Sequence, residues 1–207
     1  MRLRGGLTKG CLIVAGLVGS TWLPGAVPTL GGHEKPRPRA LRARAIVEGA
    51  PGSGIRGVVY FRESRGNAPL PGVDVVAKIS GPVGSLTPGR HGMHIHEVGA
   101  CAPTFAAAGG HFDPGPSSDS NPDANHPFHM GDIPNLVVDE DGVGTLAHRT
   151  SRITLSPGPL SVFDANGSAV ILHLNTDQGI TGPMGSGVSG GPRIACGIIE
   201  LVLEDHD

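Results

Sequence analysis

Two histidines, His94 and His96, stand at i and i+2 in the alternating run His91-Gly92-Met93-His94-Ile95-His96. On an extended strand that spacing turns both imidazoles to one face with their Cα atoms ~6.6 Å apart, close enough for one metal ion to take both. Alternating strands also carry chance histidines on a solvent face, so the pair needs company. Eight of the ten histidines fall between residues 91 and 173. His111 opens "HFDP" after two glycines, and "HPFHMGD" sets His126, His129 and Asp132 at successive intervals of three. Three imidazoles and a carboxylate make a closed four-coordinate set of the kind a structural zinc ion takes. His173 sits in a later apolar run, "SAVILHLN"; with His94 and His96 it makes an all-imidazole site suited to copper as well as zinc.

The elements that must position these groups are short. Aromatics make up 3% of the chain, while 34 glycines and 19 prolines demand frequent turns. No stretch sustains a helical period. Alternating runs at 45–47, 56–63, 73–80, 91–98, 136–138, 144–148, 152–156, 169–175 and 194–203, with turn residues between them, predict strands. The expected fold is all-β, a Greek-key sandwich or flattened barrel of about eight antiparallel strands. Residues 109–132 and 179–193 carry no strand signal, and structureless loops of that length in a compact domain are usually functional.

The N-terminus reads as a targeting segment: Arg2, Arg4 and Lys9 precede an apolar stretch from residue 11 to 23 that is short for a bilayer span. We expect a signal peptide over 1–26, a Pro/Arg-rich disordered linker over 27–44 and one domain over 45–207. Secretion gives the remaining cysteines, Cys101 and Cys196, an oxidising compartment in which two thiols of one small domain usually pair, so a disulfide is expected. Residues 45–207 hold 8 basic and 17 acidic residues, a net charge of −9, whereas the linker is basic. That asymmetry suggests weak contact of the linker with anionic cell-envelope polymers. An acidic domain nearly without aromatics lacks the electrostatic and stacking platform for nucleic acid.

The blocks "HGMHIHEVG", "AGGHFDP", "FHMGDIPNL", "DEDGVGT", "SAVILHLNTDQG" and "GGPRIACGII" stand in the order and approximate spacing of the copper/zinc superoxide dismutases. The cysteine placement in "VGACAP" resembles the secreted bacterial branch in particular, which implies a periplasmic, envelope or extracellular location. The resemblance covers about 45–204. It implies that His94, His96, His111 and His173 hold copper, that His111 also bridges to zinc, and that His129 and Asp132 are zinc ligands. It further implies that Asp177 is the carboxylate orienting a histidine of each site, that Arg193 is the guanidinium at the copper mouth, and that Cys101 and Cys196 staple the loop to the sandwich.

The chain departs from the family pattern in its zinc loop. A ligand histidine usually stands eight residues beyond the bridging one, where this chain has Asp119; His126, the sole histidine between His111 and His129, is assigned in its place. The implied activity is conversion of superoxide to O₂ and H₂O₂ with copper and zinc as cofactors, His111 and Arg193 being the catalytic side chains. A copper-only dismutase with an incomplete zinc site, or a non-catalytic copper/zinc-binding envelope domain, are the alternatives. The sequence leaves monomer and homodimer both open. His91 reads as a hydrogen-bonding structural histidine, and His148 as a surface one.

Overall fold

The structure is a computed structural model describing residues 40–64 and 72–203. The expected signal peptide and most of the expected linker, up to residue 39, lie outside the described residues, as do His33 and His206. Among the described residues nine strands form: β1 Leu41–Gly49, β2 Arg56–Ser64, β3 Gly72–Ser80, β4 Gly89–His91, β5 Met93–His96, β6 Leu136–Val138, β7 Val143–Thr150, β8 Ala169–His173 and β9 Arg193–Leu201. A short 3₁₀ turn, Phe105–Ala108, is the helical element among the described residues. Every strand pairing is antiparallel, as expected for alternating runs joined by Gly/Pro/Asp turns.

The sheet order is β4-β6-β7-β3-β2-β1-β9-β8-β5. Its two end strands, β4 and β5, are separated in sequence by Gly92 alone, so one continuous segment closes the sheet into a barrel. The single strand expected over 91–98 is thus two short ones. At the break the backbone turns from β6 to β8, with the Gly92 N–H donating to the Asn175 carbonyl (2.9 Å) and its own carbonyl accepting from His173 N–H (2.8 Å).

Alternation fills the interior. Ala43, Ala45 and Val47 of β1, Val59 and Phe61 of β2, and Val73, Val75, Ala77 and Ile79 of β3 face one core with Met93, Ile95, Val170, Leu172, Ala195 and Ile199. Strand β1 starts at Leu41, four residues before the expected start, and Leu41–Arg44 pairs with β2 rather than belonging to a linker. The basic residues Arg42 and Arg44 obscure the pattern in sequence, but they occupy the outward positions on either side of buried Ala43. The strand expected over 152–156 does not form. Ile153 and Leu155 are buried as strand alternation demands, but the Leu155 and Ser156 amides donate to Glu63 Oε2 (2.8 and 2.6 Å) instead of to a neighbouring strand.

Candidate metal centre

On β5 the side chains alternate between two buried surroundings. Met93 and Ile95 point into the barrel core, so His94 and His96 project from the outer face, where solvent would be expected. Both are nevertheless 0% exposed. Two loops cover them: His96 bridges to His111 and His94 to Asp132 along the first loop, while Asp177 in the second meets His94. His173, at the end of β8, lies beside β5 and opposite Arg193 of β9, where a register shift between Leu172 and His173 turns its imidazole toward the same place.

Four imidazoles converge there. The ligand atoms of His94, His96, His111 and His173 lie within 4.8 Å of one another, and all four residues are buried. Each ring has one nitrogen tied down. His96 Nδ1 donates to the Gly109 carbonyl (3.1 Å) and His173 Nδ1 to the Gly191 carbonyl (2.8 Å). A carbonyl can only accept, so these contacts place the proton on Nδ1 and leave a lone pair on Nε2. His94 is held through Nε2 by Asp177 (3.1 Å), and His111 through Nδ1 by Asp132 (2.7 Å). The remaining nitrogens, His94 Nδ1 and the Nε2 atoms of His96, His111 and His173, are buried without a hydrogen-bond partner. Four convergent nitrogen donors of this kind fit a copper ion.

Electrostatics agrees. Burial, reinforced by His111, pushes His94 down to about 4. Burial likewise lowers His111 to about 4 against the pull of Asp132, and His173 to about 3 with help from His94. These rings are neutral at ordinary pH and offer lone pairs without first losing a proton.

A second set shares His111. The ligand atoms of His111, His126, His129 and Asp132 also lie within 4.8 Å of one another. Asp132 is its centre: Oδ1 meets His111 Nδ1, and Oδ2 meets His129 Nδ1 (2.9 Å) and lies 3.2 Å from His126 Nδ1. Burial would raise the Asp132 carboxyl, but hydrogen bonds from His111, His126 and His129 hold it far below the usual range. One carboxylate with three imidazoles, all buried, fits a four-coordinate zinc ion. Burial also opposes a charged His126, yet Asp132 and Asp177 outweigh it and raise the ring to about 9.

Asp177 joins the two sets. Its Oδ2 meets His94 Nε2 and its Oδ1 meets His126 Nε2 at 2.7 Å. Asn135 fixes it from behind, accepting from Asp177 N–H (2.9 Å) and donating through Nδ2 to the Asp177 carbonyl (3.0 Å). Arg193 is anchored by two carbonyls, Nη1 to Phe105 (2.7 Å) and Nη2 to Gly109 (2.6 Å). Gly109 therefore holds both Arg193 and His96. The Cys101–Cys196 disulfide ties that stretch to β9. Arg193 and His173 line a cavity of about 840 Å³ together with Met184 and glycines of the second loop.

Proton linkage in the metal-free chain follows from these shifts. For His94, His111 and His173 the unfolded chain takes up protons near pH 6.5 and the folded chain only near pH 3 to 4, so stability falls as pH drops below about 6.5. His126 keeps its proton in the folded chain up to about pH 9; its contribution is complete below about 6.5 and is lost as pH rises through 9. Chelator-treated protein is expected to show its highest Tm near pH 6.5, declining on both sides. A Tm flat between about pH 5 and 9 contradicts these proton positions.

All eleven residues singled out from sequence around the two sites fall in this region. His91 is buried with Nδ1 3.0 Å from the His173 carbonyl and Nε2 2.8 Å from the Thr87 carbonyl, a structural histidine as read from its register. His148 is half-buried and lines a separate cavity with Arg149 and Arg152. Sequence reasoning missed Asn135 and Arg152, the latter bonding the Pro127 and His129 carbonyls (2.9 and 3.2 Å). The signal for Asn135 was its place in "GDIPNL", three residues after Asp132; Arg152 lay within a presumed strand and gave none.

Comparison with known proteins bears on this geometry. Residues 55–199 match the family described as copper/zinc superoxide dismutase (SODC). The chain is 35% identical over 169 residues to the extracellular superoxide dismutase (Cu-Zn) of Onchocerca volvulus, covering 78% of this chain and 77% of that protein. It is 39% identical over 136 residues to a superoxide dismutase (Cu-Zn) of Deinococcus radiodurans, covering 60% of this chain and 71% of that one. The crystal structure of the clock protein EA4 superposes with a TM-score of 0.60 at 29% identity, over 80% of this chain and 97% of that chain.

Proposed function

The chain belongs to the copper/zinc superoxide dismutase family, and on that premise we propose how its side chains divide the work. The reaction is 2 O₂•⁻ + 2 H⁺ → O₂ + H₂O₂, with copper and zinc as cofactors. His94 Nδ1 and the Nε2 atoms of His96, His111 and His173 would hold copper; His111 Nδ1, His126, His129 and Asp132 would hold zinc. Bound copper supplies the alternation between two oxidation states through which one superoxide loses an electron and another gains it. His111 faces both sets, and its buried, unpartnered Nε2 is the atom of this ring that would hold a proton during turnover whenever it does not hold copper. Arg193, fixed by the Phe105 and Gly109 carbonyls, offers charge and hydrogen bonds to the incoming anion at the mouth of the site. Asp177 orients His94 and His126.

The observation that carries this division is the set of four buried, unpartnered, convergent imidazole nitrogens. Grouping of His126 with His111, His129 and Asp132 favours a two-metal enzyme over a copper-only one. Reconstituted protein is expected to bind one copper and one zinc per chain and to show superoxide-dependent turnover. His126→Ala is expected to cut zinc to well below half an equivalent while copper stays bound. Zinc held at one per chain in that variant rejects His126 as a ligand.

The disulfide and the extracellular relative support a secreted protein, and we read the chain as secreted into a periplasm, envelope or extracellular space, as in the bacterial branch. Residues 1–26 would then be the signal peptide. The basic residues between there and β1 favour anionic envelope polymers. Deleting 27–40 is expected to weaken retention on an anionic polymer column at low salt; unchanged retention rejects that contact.

A further inference from the structure

Asp123 is buried, 4% exposed, although no role in the reaction falls to it. Its carboxylate accepts three hydrogen bonds, all from the loop on the opposite side of the cavity: Gly187 N–H to Oδ2 at 2.9 Å, and Ser189 N–H and Oγ–H to Oδ1 at 3.1 and 2.9 Å. Its backbone carbonyl accepts a fourth, from Gly182 N–H at 2.8 Å. Burial works against the charge, but these donors outweigh it and hold the carboxyl below its ordinary range.

The loop so gripped is otherwise held mainly through its own backbone, Val188 and Gly190 accepting from the Gln178 and Asn175 amides (2.8 and 3.0 Å), and through the Thr181 hydroxyl, which donates to the His126 carbonyl (2.5 Å). Between 179 and 192 it contains six glycines and few apolar side chains, so backbone contacts must set its path. It nevertheless carries parts that need accurate placement. Gly191 accepts the His173 Nδ1 proton at 2.8 Å, which orients that ring. Gly190, at φ +112°, lies so close that a Cβ there would come within 2.8 Å of His173 Cβ. The loop then runs directly into Arg193. On its other side, Asp123 stands three residues before His126 in the zinc-set loop, and its own amide is capped by Asn121 Oδ1 (3.1 Å).

We propose that Asp123 is a positioning residue: a latch by which the loop bearing His126 and His129 holds the glycine-rich loop in the path that orients His173 and places Arg193 at the mouth. This rests on the reading of the two metal sets given above. It ties the two loops through backbone donors rather than through a metal ligand, beside the Thr181 hydroxyl on the His126 carbonyl and apart from the shared His111 and Asp177. A carboxylate suits the task because each oxygen accepts from a fixed N–H, whereas an amide has only one accepting end.

The test compares the full-length, copper- and zinc-loaded wild type with Asp123→Ala and Asp123→Asn by amide hydrogen exchange, metal analysis, the electron paramagnetic resonance spectrum of the copper, and azide affinity. Both variants are expected to keep both metals. Exchange across 182–191 should rise at least tenfold in Asp123→Ala and less in Asp123→Asn, with β1 and β9 unchanged. The copper spectrum should shift, and azide, which reports on Arg193 and the mouth, should bind severalfold more weakly. Exchange in 182–191 equal to wild type overturns the proposal, as does zinc loss that accounts for all the loosening. Should Asp123→Ala not fold, Ser189→Ala, which removes one of the four bonds and little volume, reads the same amides. A wild type that binds no zinc overturns the metal assignment instead, and exchange in that metal-free protein still decides whether Asp123 holds the loop.

Discussion

His96→Ala is expected to abolish superoxide dismutation while leaving the barrel folded. The ring offers its Nε2 lone pair to the copper set, and the Gly109 carbonyl fixes that orientation through Nδ1. Losing a group that merely orients a ligand costs roughly 10–100-fold in metal affinity or activity, and losing a direct donor exceeds that. The structural cost is smaller. His96 projects from the outer face of β5, not into the main core, and its removal leaves the Gly109 carbonyl still bonded to Arg193. Truncation of a buried side chain costs about 2–5 kcal/mol, which lowers Tm without dissolving the nine-stranded sheet. Copper per chain, turnover and Tm measured together separate the two effects. Unchanged turnover removes His96 from the copper set.

The convergence of His94, His96 and His173 was legible in sequence because its geometry is local. A period of two on a strand places His94 and His96 on one face whatever the rest of the chain does, and His173 announces itself as a polar interruption of an apolar strand. The alternation of small apolar residues likewise disclosed the antiparallel architecture. What remained hidden depends on contacts distant in sequence. Leu41–Arg44 looked like more of the basic linker because pairing with β2, which alone makes those residues a strand, is not visible in their composition. Residues 152–156 looked like a strand because Ile153 and Leu155 alternate, but the carboxylate of Glu63 had already taken the amides a neighbouring strand would need. That His91–His96 would divide at Gly92 and close the barrel follows from the two sheet edges it must reach. His126 could be assigned by elimination, yet its distance from His111 became interpretable only once the loop brought both to Asp132.

Asp177→Asn is expected to damage zinc binding more than copper binding, although the residue belongs to neither four-ligand set. Its two oxygens accept from His94 Nε2 and His126 Nε2, at 3.1 and 2.7 Å, leaving the opposite nitrogen of each ring turned to its own set. An asparagine keeps one accepting oxygen; its amide nitrogen then confronts an N–H, donor against donor, at whichever histidine it faces. The shorter contact is the one to His126, and that ring sits on a loop, whereas His94 sits on β5 with paired backbone on both sides. Loss of orientation therefore falls mainly on His126. Zinc affinity is expected to drop about 10–100-fold, the usual cost of removing a carboxylate that orients a metal-bound histidine, with copper affinity falling less. Competition with a chelator of known affinity, metal by metal, measures both. Asn135→Ala provides the control for mere loosening, since it frees the Asp177 backbone while leaving the carboxylate chemistry intact. If Asp177→Asn and Asn135→Ala weaken zinc equally, Asp177 acts only as a fixed point of the loop; a larger loss in Asp177→Asn identifies the carboxylate itself as the link between the two histidines.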